Sequence, residues 1–503
     1  MNPLKKLAGQ TAIYGLPTII GRLLSYLLVP IYTRVFSPAE YGVVTELYAY
    51  VAFLMVILTY GMETAFFRFS QKETDKEGVY STSILSLVVS SVLFVALSWM
   101  FSNSIASALG YANHREYIVW FALILGLDAL TAVPFARLRE LNKAKRFAFL
   151  KSVNIIAQIG FNIFFIIFCP YIIKHFDNSF IGSIINIFYK KEIGVGYIFI
   201  SNLLASILTL AMLVPEIINI RFEFKKLLWK QMLKYALPIM VWGMAGIVNE
   251  TFDRILLKHL IKTGDAMSQL GIYGACYKVS ILMTLFIQTF RFAAEPFFFS
   301  NALNTDAKQI YADVMKYFII VCAFIFLAVM MYIDVIILFV GKDFRIGAPV
   351  IPILLLANLC LGVFYNLSIW YKLTDQTMYG AYISTFGAIV TLVLNFILVP
   401  IMGYMGAAWA TLICYFLIML VSYILGQKHY PINYDLKRIL TYLGIALLLY
   451  FISELLKIET KSVKLLINTV FVIIYIVSVF TFEKRKPNPP PKPISTNRWD
   501  KYK

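Results

Sequence analysis

Charged side chains stand inside several long apolar runs of this 503-residue sequence. Arg22 lies in the middle of the first run and shares a helical face with Thr18 and Ser25. An arginine at the centre of a bilayer costs about 2.5–3.5 kcal/mol on insertion scales, so Arg22 needs a counter-charge or a wet cavity. Because a guanidinium makes forked contacts with phosphate oxygens, Arg22 indicates an anion contact. A structural ion pair with a neighbouring helix is the alternative.

A stripe of polar side chains follows the fifth apolar run. The spacing i, i+3, i+7 and i+11 places the stripe on one face of a helix. Its members are Lys151, Asn154, Gln158 and Asn162. A shift of 233 residues lands on Ser384, Gly387, Thr391 and Asn395 in the eleventh run. Polar stripes of this length indicate a substrate path facing water or a ligand. Hydrogen bonding between helices within each bundle is the alternative.

Two further runs carry charges that bear on binding or ion coupling. The seventh run contains Glu250, Asp253 and Arg254. Glu250 and Arg254 are spaced i, i+4 and can pair within the helix, so Arg254 is either a substrate contact or half of a local pair. Asp128 in the fourth run has no basic residue at i±3 or i±4. A lone buried carboxylate tends to take up a proton, which makes Asp128 a candidate for coupling transport to a proton gradient.

Four charged residues near the ends of the second and eighth runs are candidate gate residues. Glu46 and Lys278 hold equivalent positions near the external ends, where opposite charges can meet and form part of an external gate. Snorkelling to the membrane surface is the alternative. Glu63 and Glu295 lie near the cytoplasmic ends of the same runs. A cytoplasmic gate or a proton site is the interpretation for this second pair.

The composition excludes a soluble protein. The chain is 60% apolar and 14% charged, whereas soluble domains carry roughly 25% charged residues. Apolar runs of about 20 residues predict transmembrane helices rather than a barrel. We count fourteen, the first centred near Leu23. Five cysteines inside apolar runs and four single histidines predict no metal site and no cofactor. The net charge of +18 is attributed to topology and not to a nucleic-acid partner, since no basic segment could fold outside the membrane.

Three sequence matches predict an internal duplication. Tyr14–Pro17 returns as Tyr235–Pro238, Tyr41-Gly42 returns as Tyr273-Gly274, and Glu63 returns as Glu295. Six spans precede the second copy, so the two copies run in the same direction. Lys and Arg concentrate in the loops on the side of the N-terminus, which places both termini in the cytoplasm. The predicted parts are a six-helix lobe at 1–230, a second at 231–430, two further helices at 431–482 and a disordered tail at 483–503.

Three motifs resemble those of the polysaccharide-transporter branch of the multidrug/oligosaccharidyl-lipid/polysaccharide flippase superfamily, the O-antigen-type flippases. They are Pro30-x-x-Thr33-Arg34-x-Phe36-Ser37-Pro38-x-Glu40-Tyr41-Gly42, then Asp253-Arg254-x-x-Leu257 with Gly271-x-Tyr273-Gly274-x-x-x-Lys278, and Asn395-x-x-x-x-Pro400-x-x-Gly403-x-x-Gly406-Ala407-Ala408-x-Ala410-Thr411. The resemblance implies two lobes around a central cationic cavity in the bacterial inner membrane. It also implies flipping of an undecaprenyl-diphosphate-linked oligosaccharide, with membrane lipid and polysaccharide assembly proteins as partners. Arg22 is the nearest match to the arginines that related lipid II flippases use.

Three other functions compete with this interpretation. A multidrug exporter of the same superfamily fits the many carboxylates but usually has twelve spans. A lipid II flippase fits fourteen spans. A membrane glycosyltransferase or O-antigen polymerase needs catalytic carboxylates or a sizeable external loop, and this sequence has no Asp-x-Asp motif. The sequence therefore predicts a transporter and not an enzyme.

Overall fold

The computed structural model of the chain describes residues 21, 23–24, 26–176, 178–218, 221–262, 264–302, 304–456 and 458–484. Arg22, most of the first predicted span and the predicted tail beyond residue 484 lie outside the described residues. Within these ranges the structure is helical and has no β-strand.

The described helices, in chain order, are α1 (Val29–Val35), α2 (Pro38–Thr59), α3 (Met62–Lys72), α4 (Lys76–Met100), α5 (Ser102–Ala108), α6 (Arg115–Glu140), α7 (Ala144–Ile163), α8 (Cys169–Phe176), α9 (Phe180–Phe188), α10 (Gly196–Ile218), α11 (Lys226–Leu260), α12 (Ala266–Val279), α13 (Ile281–Ser300), α14 (Ala307–Met331), α15 (Ile333–Ile336), α16 (Val350–Leu367), α17 (Ile369–Leu373), α18 (Met378–Met402), α19 (Tyr404–His429), α20 (Leu436–Leu455) and α21 (Lys461–Lys484). A π-helical turn, Phe164–Phe168, joins α7 to α8. Short 3₁₀ turns are Lys191–Ile193, Ile337–Phe339 and Lys342–Gly347.

Thirteen segments of the described chain are long and apolar enough to cross a membrane. Three of them combine consecutive helices in which the axis breaks, namely α2 with α3, α7 with α8, and α16 with α17. The prediction of a multi-pass helical membrane protein is confirmed. The one remaining predicted span is the first, centred near Leu23, and most of it lies outside the described residues.

The first sequence motif forms a tight turn between α1 and α2. Ser37 caps α2 in a capping box, in which Ser37 Oγ accepts from the Glu40 amide at 3.3 Å and Glu40 Oε2 accepts from the Ser37 amide at 2.8 Å. Pro38 occupies the first helical turn, where its missing N–H is not needed. Thr33 Oγ1 accepts from the Gly341 amide at 2.9 Å, and so the motif also ties the two halves of the chain together.

Close backbone contact between α2 and α12 joins the lobes at one end. A Cβ atom at Gly271 would collide with the carbonyl oxygen of Pro38 and lie 2.9 Å from the Gly42 amide nitrogen. A Cβ atom at Gly274 would meet the side chain of Thr45. Small residues let transmembrane helices approach to backbone contact, where dispersion replaces the hydrophobic effect that lipid cannot supply. These glycines therefore set the distance between the lobes at this end.

Helix α11 of the second lobe lies along the whole of α2 and α3. The ring centroids of Phe53 and Phe252 are 6.0 Å apart, and the Arg68 guanidinium stands 4.1 Å from the ring centroid of Tyr235. At the break between α2 and α3, Gly61 has φ +71° and packs against the carbonyl of Ala236. The chain turns at this break, and α3 therefore packs against α11 beyond the end of α2.

The last two helices are held against α14 by polar contacts. Glu483 Oε2 pairs with Lys316 Nζ at 2.9 Å. Asn468 Nδ2 donates to the Met331 carbonyl at 2.7 Å, and the Tyr475 hydroxyl donates to the Ile320 carbonyl at 3.0 Å. The pair α20–α21 is therefore anchored to the second lobe along its length.

We predict that Gly271→Ala lowers the midpoint of thermal unfolding, because the added methyl group pushes α2 and α12 apart. The matched control is Gly444→Ala in α20, where an added Cβ meets no atom within 4 Å. There the change should stabilise the helix by about 0.5–1 kcal/mol. The measurement is thermal unfolding of the detergent-purified proteins, and equal midpoints for the two variants would contradict the assignment.

Candidate functional site

The first lobe encloses a polar cavity of about 450 Å³ between α2–α3, α6, α7 and α10. Five residues predicted from the sequence line it: Glu63, Asp128, Lys151, Asn154 and Gln158. Ser206 Oγ donates to Asp128 Oδ1 at 2.7 Å. Lys151 Nζ stands 4.0 Å from the ring centroid of Phe135 on the same wall. The cavity therefore contains both a carboxylate and an ammonium at the depth of the spans.

The polar stripe of α7 has two roles in this lobe. Asn154 Nδ2 donates to Thr209 Oγ1 at 2.7 Å, and Gln158 Nε2 donates to Asn202 Oδ1. Both amides also line the cavity. Asn154 and Gln158 therefore line the cavity and link α7 to α10 at the same time, and their role in a substrate path stays a prediction.

Asn162 does not line this cavity, in contrast to the prediction. It is only 1% exposed and accepts from the Tyr32 hydroxyl at 2.8 Å, while its Nδ2 donates to the Gln158 carbonyl at 2.7 Å. The structure places Asn162 as a link between α1 and α7. The physical reason is that α1 crosses this end of the stripe and covers it.

The equivalent stripe in the second lobe is buried between helices, so the predicted cavity positions of Thr391 and Asn395 are wrong in this structure. Both are at most 1% exposed. Thr391 Oγ1 donates to Asn249 Oδ1 at 3.2 Å, and Asn249 Nδ2 donates to the Ser384 carbonyl at 3.0 Å. Asn249 of α11 thus occupies the space over Gly387 and bonds to Ser384 and Thr391 of α18. Sequence reasoning missed Asn249, although it is a polar residue inside an apolar run.

A second polar cavity, of about 420 Å³, lies in the second lobe between α11, α12, α13, α16 and α19. Its polar and aromatic lining consists of Glu250, Tyr277, Thr284, Gln288, Arg291, Phe292, Glu295, Asn358, Tyr365 and Tyr415. Only Glu250 and Glu295 of these were predicted as site residues. The tyrosines escaped notice because aromatic residues in apolar runs are ordinarily packing residues.

The charged residues of α11 have separate partners. The Tyr365 hydroxyl lies 3.4 Å from Glu250 Oε1, and the Arg254 guanidinium stands 4.2 Å from the ring centroid of Tyr277. Asp253 is 3% exposed and accepts from the Tyr273 hydroxyl at 2.6 Å. Asp253 is therefore enclosed in helix packing, whereas Glu250 and Arg254 reach the second cavity or its wall.

An ion pair stands at the same position of each lobe. Glu63 pairs with Arg139, and Glu295 pairs with Lys372 at 2.6 Å. Glu295 follows Glu63 by 232 residues and Lys372 follows Arg139 by 233, the shifts seen in the sequence. Glu63 and Glu295 were predicted to form a cytoplasmic gate or a proton site, and in this structure each pairs with a cation of its own lobe. Arg139 and Lys372 could have been found by applying the same shift to the basic residues.

An ion pair between the lobes involves Glu46. Its carboxylate is fully buried and bonds Lys258 Nζ of α11 at 2.9 and 3.2 Å. The Tyr111 hydroxyl donates to the same carboxylate, and Lys258 also donates to the Leu109 carbonyl. Burial, followed by the charge of Glu46, raises the pKa of Tyr111 well above its usual value, so the hydroxyl remains a donor. We call these contacts the Glu46–Lys258 latch.

Lys278 occupies the position in the second lobe that is equivalent to Glu46 in the first, and the two side chains were predicted to meet. Its ammonium instead stands 5.2 Å from the ring centroid of Tyr26, which belongs to the first span. Glu46 contacts the seventh span and Lys278 contacts the first, as expected for two positions related by the repeat. The predicted pairing is wrong because α11 brings Lys258 to Glu46.

No group of three or more His, Cys, Asp or Glu side chains that could hold a metal ion occurs within the described ranges. The charged residues of both cavities have organic partners: hydroxyls, aromatic rings or opposite charges. The arrangement can bind a polar ligand through hydrogen bonds and aromatic contacts.

Comparisons with solved structures identify the fold. The chain is similar to the lipid II flippase MurJ in an inward closed conformation, with a TM-score of 0.67, 16% identity and coverage of 94% of this chain and 99% of that one. It is also similar to an outward-facing multidrug resistance transporter of the MATE family, with a TM-score of 0.57, 14% identity and coverage of 84% and 95%. A MATE transporter of Vibrio cholerae in the bent form matches with a TM-score of 0.53, 12% identity and coverage of 85% and 98%. At these identities the likeness concerns the fold.

A comparison with curated proteins gives no match. A family model described as "Polysaccharide biosynthesis protein" matches residues 7–302, which is more than half of the chain. This match confirms the resemblance found in the sequence motifs. The chain therefore belongs to the polysaccharide biosynthesis protein family, on the fold shared by MurJ and the MATE transporters.

Proposed function

We propose that this protein flips undecaprenyl-diphosphate-linked oligosaccharides across the bacterial inner membrane for the synthesis of a surface polysaccharide. The observation that carries the proposal is the presence of one polar cavity in each lobe. The helices around these cavities are otherwise apolar, as expected for a protein surrounded by lipid. Such cavities suit a substrate whose head is polar and whose tail can stay in the bilayer. The family match supports a polysaccharide precursor over a drug or lipid II.

The balanced charge of the cavities favours this substrate over the cationic drugs that a multidrug exporter would bind. In the first cavity Glu63 and Asp128 are matched by Arg139 and Lys151. A cavity with balanced charge gives a cationic drug no electrostatic advantage. It provides amide and hydroxyl groups that can bond to sugars.

Transport follows from rocking of the two lobes around sites near the midplane. In this structure the lobes are closed at the end of α2 and α12 that the proposed topology places outside, with both termini in the cytoplasm. The glycine contact and the Glu46–Lys258 latch close that end. Release of the latch would expose the cavities to the outer side. Removal of one partner of a buried pair costs about 3–5 kcal/mol, so this pair can hold one state against the other.

The diphosphate needs a cation, and Arg22 is our proposed contact. Its assignment rests on sequence position, because Arg22 lies outside the described residues. Lys151 and Arg254 are the further cations proposed to contact the substrate. Asp128 beside Ser206 is proposed as the group that couples transport to protons.

Arg22→Ala should abolish surface polysaccharide in a deletion strain while leaving the protein in the membrane. Arg22→Lys should restore export only partly, since it keeps the charge and loses the fork. Arg221→Ala, in the loop between the lobes, is the matched control and should support normal export. Full export by Arg22→Ala at normal membrane abundance would show that the diphosphate is held elsewhere.

Lys258→Met should open the external end, because the buried Glu46 carboxylate then has no cation. The readout is the rate at which a membrane-impermeant maleimide labels Thr45→Cys, a site packed against Gly274 in the closed state. We expect at least tenfold faster labelling than with the exposed control Lys262→Met. Equal labelling rates would show that the latch does not keep this end closed.

Asp128→Asn should remove the dependence of transport on an imposed pH gradient, because the amide mimics a carboxyl that cannot release its proton. The measurement is flipping in proteoliposomes of lipid-linked oligosaccharide isolated from the deletion strain, with and without a gradient. Asp343→Asn, on an exposed loop, is the control and should keep the dependence of the wild type. A gradient response in Asp128→Asn equal to that of the wild type would remove Asp128 from coupling.

A further inference from the structure

The first cavity has the aromatic side chains Tyr48, Phe135 and Phe147 in its lining, whereas the second-lobe cavity has three tyrosines and Phe292. Tyr277, Tyr365 and Tyr415 all line it, from three different helices. Two of these rings are held in place by guanidinium groups. Arg254 stands 4.2 Å from the centroid of Tyr277, and Arg291 stands 4.6 Å from that of Tyr365. Cation–π contacts of this kind fix ring orientation, so these aromatic walls are preorganised.

The formal charges of the side chains that line this cavity and its recess cancel, and Arg254 contacts the Tyr277 ring without being part of the lining. Glu250 and Glu295 face Arg291 in the main space, and Lys372 joins Glu295 in a small recess that continues from it. Lys372 Nζ and Glu295 Oε1 are 2.6 Å apart, while Arg291 Nε lies 4.0 Å from the same carboxylate. A diphosphate would meet two carboxylates here. The cavity therefore suits an uncharged polar ligand better than an anion.

Two polar atoms in the walls have no protein partner. Asn366 Nδ2 in the recess and Thr284 Oγ1 in the main cavity are buried without a hydrogen bond. Asn366 as a whole is 5% exposed. A buried polar atom without a partner costs about 1–3 kcal/mol, which a ligand with hydroxyl groups would recover. Together with the amides of Gln288 and Asn358, these atoms can bond several hydroxyls at once.

We propose that the second-lobe cavity is the saccharide subsite of the transporter and takes an uncharged sugar residue of the substrate head. A pyranose ring has an apolar C–H face, which packs on a tyrosine ring, and a rim of hydroxyls, which bond to amides and carboxylates. The volume of about 420 Å³ lies in the usual range of ligand pockets, roughly 300–1,000 Å³. This inference rests on the proposed function and assigns the sugar and the diphosphate to different places.

The direct test is saturation-transfer NMR on the purified full-length protein with the methyl glycosides of glucose, galactose and N-acetylglucosamine. We expect signal transfer to at least one glycoside with wild-type protein. Tyr365→Leu and Tyr277→Leu should each lower it at least tenfold, while Tyr365→Phe keeps the ring and most of the signal. The control is Tyr382→Leu on α18, whose side chain faces outward at 63% exposure. Thermal unfolding of each variant shows that the fold is kept.

Competition by inorganic pyrophosphate separates the two parts of the substrate head. Glycoside signal that persists in excess pyrophosphate supports a dedicated sugar subsite, and displacement by pyrophosphate would overturn it. Absence of transfer to any of the three glycosides, or equal transfer to wild type and both leucine variants, would also overturn it.

Complementation of the deletion strain distinguishes failure of the saccharide subsite from failure of the proposed flippase function. Wild-type protein should restore surface polysaccharide in the deletion strain, and Tyr365→Leu should restore less than a tenth of it at equal membrane abundance. If both restore it fully, the subsite is wrong and the flippase function stands. If the deletion strain makes normal surface polysaccharide without the protein, the proposed function itself is wrong.

Discussion

The structure depends on the requirement that charged groups within the apolar spans find partners inside the protein. Lipid cannot solvate an ammonium or a carboxylate, and an isolated ion in a low-dielectric medium is costly. Glu46 illustrates the requirement, because its fully buried carboxylate is satisfied by Lys258 and Tyr111. The pairs Glu63–Arg139 and Glu295–Lys372 satisfy it within each lobe. Most charges therefore mark either a helix contact or a cavity wall.

The partners of these polar groups lie either within one lobe or in the other lobe. In the proposed transport cycle, contacts within a lobe stay intact and contacts between lobes break. Contacts within a lobe, such as Asn249 with Thr391, hold helices together in any orientation of the lobes. Contacts between lobes include the glycine surfaces of α2 and α12, the packing of α11 along α2 and α3, and the Glu46–Lys258 latch. In the proposed transport cycle the latch breaks near the end of its span, where the membrane surface can resolvate both charges. A pair at the midplane would have no water to resolvate it, so this position suits the proposed switching role.

Much of the fold follows from the sequence because transmembrane helices are defined by length and hydropathy. Residues that are separated by the repeat shift also make matching contacts. Glu63 and Glu295 each pair with a cation of their own lobe. Individual partners could not be predicted, since they depend on how helices cross. The sequence did not single out Lys258, yet α11 extends far enough to bring it to Glu46. Thr391 and Asn395 are equivalent to the cavity stripe of the first lobe, but both are buried between helices and Asn249 bonds to Thr391.

The central claim is that the lobes separate between α2 and α12 during each transport cycle. A cysteine pair at Thr45 and Gly274 tests it. A Cβ at Gly274 would lie 3.1 Å from the Thr45 Cβ, so a small outward shift of the two helices brings the pair into the range of roughly 3.5–4.5 Å that a disulfide needs. The five native cysteines are buried, and each single-cysteine variant serves as a control. Oxidation of the pair should stop the appearance of surface polysaccharide, and a reductant should restore it. Undiminished export by protein that is fully cross-linked would contradict the account.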